Sequence, residues 1–148
     1  MGSSDIQGRC FCGAFEFALT PPTDFCAHCH CDSCRRSHAA AYVTWTSVPL
    51  ERFSILQGPE QISWYASSNC IEWGFCKTCG CSLLYRATSE GHPEAPKVDR
   101  MYVAVGCLVD PLDRDPAVHV SYEEHAAWID GAHELPKHRG KTDERIEG

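Results

Sequence analysis

Eleven cysteines in 148 residues constrain this chain more than any other feature. They stand at 10, 12, 26, 29, 31, 34, 70, 76, 79, 81 and 107, an odd number that cannot pair completely as disulfides. Most fall into tight groups: C-x-C at 10–12, C-x-C-x2-C at 29–34 and C-x2-C-x-C at 76–81. Met1 to Arg9 has no apolar core of the kind a secretory signal needs. No apolar run approaches the ~20 residues that cross a bilayer, so a soluble, cytoplasmic protein with no membrane partner is expected. Thiols there are kept reduced, and cysteines at such spacing in a reducing compartment point to metal.

Charge removes another class. The formal net charge is −7, and nucleic-acid binders usually display clustered Lys and Arg because phosphate neutralisation supplies much of their affinity. The 13 basic residues here are scattered, and the longest basic run is Arg35–Arg36. No nucleic-acid partner is expected.

Strand signals dominate the chain. In Ala14 to Leu19 the residues Phe15, Phe17 and Leu19 alternate onto one face. The stretches Ala41 to Trp45, Phe53 to Leu56, Ile62 to Tyr65, Ser82 to Tyr85 and Arg100 to Leu108 are rich in β-branched and aromatic residues. Gln57-Gly58-Pro59, Gly80, Asp110-Pro111 and Asp115-Pro116 mark turns between them. Helical readings are confined to Ser33–Ala40 and Tyr122–Ile129, and Lys137 to Gly148 reads as a loosely held polar tail. The expected fold is one mainly β domain with short helical turns.

Cys76-Lys77-Thr78-Cys79-Gly80 is a half-site for zinc. A C-x2-C turn aims both sulfurs at one centre, and the glycine permits the left-handed backbone that closes it. The missing pair is most economically Cys10 and Cys12, also followed by a glycine. A zinc so held contributes ~10–16 kcal/mol of apparent binding in small zinc peptides, comparable with the ~5–15 kcal/mol stability of a whole domain. Cys29, Cys31 and Cys34 then need their own ion. The candidates for a fourth ligand are His28, His30, Cys26, Cys81 and Cys107. Structural zinc is closed by four protein ligands, whereas catalytic zinc keeps three and leaves one position open. Three thiolates leave the site at net −1, a poor activator of water but a suitable host for another sulfur. A thiol entering there would be deprotonated near neutral pH and made nucleophilic towards an aldehyde carbon. Spacing weighs this equally against a second structural site.

The segments GRCFCGAFEF at 8–17, AHCHCDSCRRSHAAAYVTW at 27–45 and WGFCKTCGCSLLY at 73–85 resemble the glutathione-dependent formaldehyde-activating enzyme (GFA) family, which shares its domain with centromere protein V. VAVGCLVDP at 103–111 and HAAWIDGAHELPKH at 125–138 are similar to its later segments. The resemblance covers about residues 8–138, leaving 1–7 as an N-terminal extension and 139–148 as a C-terminal tail. It implies a zinc-stapled β-tent fold and a carbon–sulfur lyase-type activity that joins or cleaves a thiol–aldehyde adduct such as S-hydroxymethylglutathione. It also implies a structural zinc on Cys10, Cys12, Cys76 and Cys79, and a catalytic zinc on Cys29, Cys31 and Cys34. His38 and Cys81 depart from the resemblance: the family usually has a small residue at the first position and Ser or Thr at the second.

The competing readings are a non-catalytic interaction module with both zincs structural, and a thiol–disulfide protein using Cys76 and Cys79. Arg35 and Arg36 read first as a solvated face or partners for nearby acids, with a substrate carboxylate as the functional alternative; His30 and His38 read first as hydrogen-bonded structural residues, with proton transfer as the alternative. Tyr42, Trp45 and Trp73 read as core residues, with the wall of a pocket as the alternative; Cys26, Cys70 and Cys107 read as small buried hydrophobes, and Glu123 and Glu124 as surface charge.

Overall fold

The computed structural model of the protein describes residues 4–68, 70–89 and 97–147. Residues 1–3 of the expected extension and Gly148 of the expected tail lie outside them. The described residues are mainly β, as expected, and form two sheets.

The smaller sheet joins β1 (Ile6–Arg9), β2 (Glu16–Leu19) and β5 (Phe53–Gln57) in the order β1-β2-β5, all antiparallel. Its centre is β2, whose alternation was legible: Phe15, Phe17 and Leu19 have no exposed surface. Phe17 stacks on Phe53 with ring centroids 5.6 Å apart. On the other side it faces Gly8 across the β1–β2 register, where a Cβ would collide with the Phe17 ring.

The larger sheet contains β3 (Ala27–Cys29), β4 (Val43–Pro49), β6 (Ile62–Ala66), β7 (Ile71–Cys76), β8 (Ser82–Ala87), β9 (Arg100–Ala104) and β10 (Val118–Val120). Their order is β10-β3-β4-β9-β8-β7-β6, antiparallel except for the parallel pair β10–β3. The single α-helix among the described residues, α1 (Asp32–His38), follows β3 directly. One buried cluster draws on both sheets, with Ile6, Phe17 and Leu19 meeting Val48, Leu83 and Val103. A second, around Val43, Trp45, Tyr102 and Ala104, packs against Cys34 and α1.

Several expected elements differ in extent. The strand expected over Arg100 to Leu108 stops at Ala104, because Val105–Cys107 turns into a 3-10 helix. The helix expected over Tyr122–Ile129 is two 3-10 turns, Tyr122–Glu124 and Ala127–Ile129, broken where the backbone extends at His125 and Ala126. Eight residues are too few to sustain a helix alone, and burial of Ala126 fixes the break. The polar segment after Lys137 is exposed but not shapeless. Hydrogen bonds from the Arg139 and Ile146 amides to the Glu144 and Lys137 carbonyls fold it into a small turn.

Gly8→Ala is expected to destabilise the protein by ~1–3 kcal/mol, the usual cost of overpacking a closed core, because Phe17 is pinned by Phe53 behind it. Gly106→Ala, where an added Cβ meets nothing within 4 Å, should leave stability nearly unchanged. Urea denaturation of both variants checks the pair.

Candidate functional site

Cys10 and Cys12 lie in the turn that leaves β1; Cys76 ends β7, and Cys79 lies in the turn that joins it to β8. The left-handed backbone expected after each pair is present, with φ of 81° at Gly13 and 78° at Gly80. The Gly80 amide donates to the Cys76 carbonyl at 2.7 Å, closing the C-x2-C turn. The four sulfurs lie within 4.8 Å of one another. Cys10 Sγ is 3.6 Å from Cys12 Sγ, and Cys12 Sγ is 3.9 Å from Cys76 Sγ. A zinc–sulfur distance of about 2.3 Å in a tetrahedron requires edges of about 3.8 Å, so this group fits the ion. The Phe15 amide also donates to Cys10 Sγ at 3.4 Å.

Cys29, Cys31 and Cys34 come from one short segment. Cys29 ends β3, Cys31 is the N-cap of α1, and Cys34 sits in its first turn. Their three sulfurs also lie within 4.8 Å of one another. The Cys34 amide donates to Cys31 Sγ and the Trp45 indole N–H to Cys34 Sγ, both at 3.3 Å. Crowding forces the three to share charge unequally. Hydrogen bonds from Cys29 and then Cys34 pull Cys31 down to about 2, while the same contacts, Cys29 first, push Cys34 up. A group that can keep only part of its negative charge unaided is matched to a cation.

None of the five candidate fourth ligands joins this cluster among the described residues. His28 Nδ1 is bonded to Thr44 Oγ1 at 2.7 Å. The His30 ring is fully buried and its Nε2 meets His119 Nδ1 at 2.8 Å. Alternation along β3 explains both, since it sends neighbours of Cys29 to the opposite face. Cys26 is buried elsewhere, and Cys81 faces Cys107 at 3.7 Å. Burial lowers the pKa of His30 and of His38, so both favour the neutral ring. His38 stands edge-on to Trp45.

A cavity of about 490 Å³ opens beside Cys29 and is walled by Phe25, Trp45, Tyr85, Val118 and Val120, with Arg114 and Asp115 at its edge. Neither arginine singled out in the sequence lines it. Arg36 is exposed and paired with Asp32 at 2.9 Å, and Arg35 donates to the Glu124 carbonyl at 2.8 Å. Arg114 is the cation at this cavity, held by Thr23 and the Asp24 carbonyl, and nothing in its sequence surroundings distinguishes it. Of the expected core aromatics only Trp45 is buried; Trp73 is half-buried and Tyr42 exposed, against the His28 and His30 rings. Of the three cysteines expected to be buried only Cys26 is; Cys70 is half-buried beside the Ser68 hydroxyl, and Cys107 is half-buried at the edge of the core. Glu123 and Glu124 are exposed, as expected.

An uncharacterized lyase of Schizosaccharomyces pombe is 32% identical over 94 residues, covering 60% of this chain and 63% of that protein. The chain thus matches less than two thirds of its relative's length. A crystal structure of a Rhodobacter sphaeroides protein superposes with a TM-score of 0.58 at 23% identity, over 77% of this chain and 99% of the other, and shows the same fold. The family model described as glutathione-dependent formaldehyde-activating enzyme matches residues 5–124, a span that takes in all seven clustered cysteines. The chain belongs to the glutathione-dependent formaldehyde-activating enzyme family.

Proposed function

We propose that this protein is a zinc-dependent carbon–sulfur lyase-type enzyme that forms or cleaves an adduct between a small thiol, glutathione or a relative of it, and an aldehyde. The observation that supports it best is the inequality of the two sulfur groups: four cysteines in one, three in the other, with the smaller group beside a cavity. Cys10, Cys12, Cys76 and Cys79 would hold a structural zinc. Cys29, Cys31 and Cys34 would hold a second zinc, which when bound lowers the pKa of an entering thiol and presents it as a thiolate.

The chain's own residues supply the rest. The first turn of α1 fixes Cys31 and Cys34 relative to each other through the Cys34 amide. Trp45 orients Cys34 and tempers its charge by hydrogen bonding. Phe25, Trp45 and Tyr85 exclude water from the cavity floor and give the body of the thiol an apolar wall. Arg114 offers a positive edge for an acidic group of the substrate, with Asp115 limiting how much negative charge is accepted. Eleven unpaired thiols suit a reducing compartment such as the cytoplasm.

Graded chelation followed by metal analysis should release two zincs at different chelator strengths, the first from the three-cysteine group. Cys31→Ser should abolish acceleration of adduct formation, followed by NMR with glutathione and formaldehyde, while the thermal midpoint falls by only roughly 3–6 °C, the shift expected for about 1 kcal/mol. Collapse of the fold in that variant, or unchanged activity, contradicts the proposal. Trp45→Phe should weaken the second zinc by roughly 10–100-fold, as loss of a ligand-orienting partner does elsewhere, with the first zinc unaffected; competition against a chromophoric chelator reads both.

A further inference from the structure

Two thiols stand outside both proposed metal groups yet touch each other. Cys81 Sγ lies 3.7 Å from Cys107 Sγ, across 26 positions of sequence. Both thiols point at the same acceptor, the Ser82 carbonyl oxygen, at 3.9 and 3.7 Å. One carbonyl therefore serves two donors, and the two sulfurs face one another beside it. Each is half-buried. A disulfide has its sulfurs about 2.05 Å apart, so closure needs an approach of ~1.7 Å, which small side-chain rotations and a slight shift of two turns can provide.

The position gives such a bond consequences. The Cys81 carbonyl accepts from the Cys76 amide at 2.9 Å, which ties Cys81 to the turn carrying Cys76 and Cys79. Cys107 ends the 3-10 turn Val105–Cys107 and packs against both buried clusters. Between them, the Ser82 hydroxyl donates to the Ser37 carbonyl of α1, the helix carrying Cys34, at 3.2 Å. The pair therefore lies on the short path that links the two sulfur groups.

We propose that Cys81 and Cys107 form a reversible intramolecular disulfide under peroxide, separate from the metal chemistry. One thiolate displaces hydroxide from hydrogen peroxide and becomes a sulfenic acid. The second thiolate attacks that sulfur and expels the oxygen as water. Two thiols and one peroxide give one disulfide and two waters, each sulfur losing one electron and the peroxide gaining two. The bond staples the β7–β8 turn to the end of β9 and holds Ser82 where it meets α1. Oxidation is drawn to these two sulfurs because they touch each other and are not committed to a metal.

The full-length, zinc-loaded protein should be treated with hydrogen peroxide, alkylated and analysed by mass spectrometry with parallel metal analysis. The expected result is loss of the mass of two hydrogens with zinc content unchanged. Tryptic digestion should then yield a cross-link between peptides 78–86 and 101–114, and fragmentation at Gly80 should place the bond on Cys81 rather than Cys79. A phosphine should reverse it. Cys81→Ser and Cys107→Ser should each lose the cross-link completely; if either variant fails to hold zinc, the mapping on the unaltered protein decides alone. A bond through Cys79, zinc release in step with oxidation, or higher sulfur acids at these positions without a cross-link would overturn the proposal.

Discussion

Four sulfurs from two sheets converge on one point, and the rest of the structure depends on that convergence. Cys10 and Cys12 leave the edge strand of the small sheet, and Cys76 and Cys79 leave the large one. Four thiols held this close are unfavourable by themselves, since each thiolate repels the others and each neutral thiol is a weak hydrogen-bonding group. A dication reverses the sign of that interaction. Cys10 and Cys76 also belong to the buried cluster of Phe17, Leu19 and Val103, so ion binding and core packing would reinforce each other between two distant turns, Cys12 and Cys76 lying 64 positions apart in sequence.

The three-cysteine group is built on a different local plan. Its residues come from the single short stretch 29–34 at the end of β3 and the start of α1, so it closes no long loop and joins no distant elements. An ion held there would add little by loop closure, which suits the catalytic role proposed for the group. The surroundings match that role. His28 and His30, the nearest imidazoles in sequence, are turned away by strand alternation and committed to Thr44 and His119. Trp45 bonds one sulfur, and an apolar cavity reaches another. A caged ion that would hold the fold and a less enclosed one that would meet substrate is the division of labour proposed for the two groups; the spacings C-x-C with C-x2-C and C-x-C-x2-C by themselves left the second group open between a structural and a catalytic role.

The cysteine grouping was legible because metal ligation imposes short spacings and a glycine after the second ligand, and both survive in sequence. The central strand β2 was legible because one of its faces is wholly aromatic or aliphatic. Four strands were not: β1, β3, β7 and β10, of which β1 (IQGR) offers a single large apolar residue. β3 and β10 have three residues each, with histidines and cysteine in place of a repeating apolar face. β7 contains Gly74, which strand propensity disfavours but which the Trp64 ring requires, since a Cβ there would stand 2.9 Å from it. Arg114 and the Cys81–Cys107 contact were invisible for a simpler reason: they depend on which turns the sheets bring together, and no local pattern records that.

The central claim is that one metal group is complete in protein sulfur and the other accepts a sulfur from outside. X-ray absorption at the zinc edge tests it most directly, on protein loaded at both sites and on protein in which only the four-cysteine site retains zinc. The difference between the two isolates the second ion. Three sulfurs and one light atom are expected there without thiol, rising to four sulfurs when glutathione is added. Four protein ligands at the second ion, unchanged by any thiol, would contradict the account.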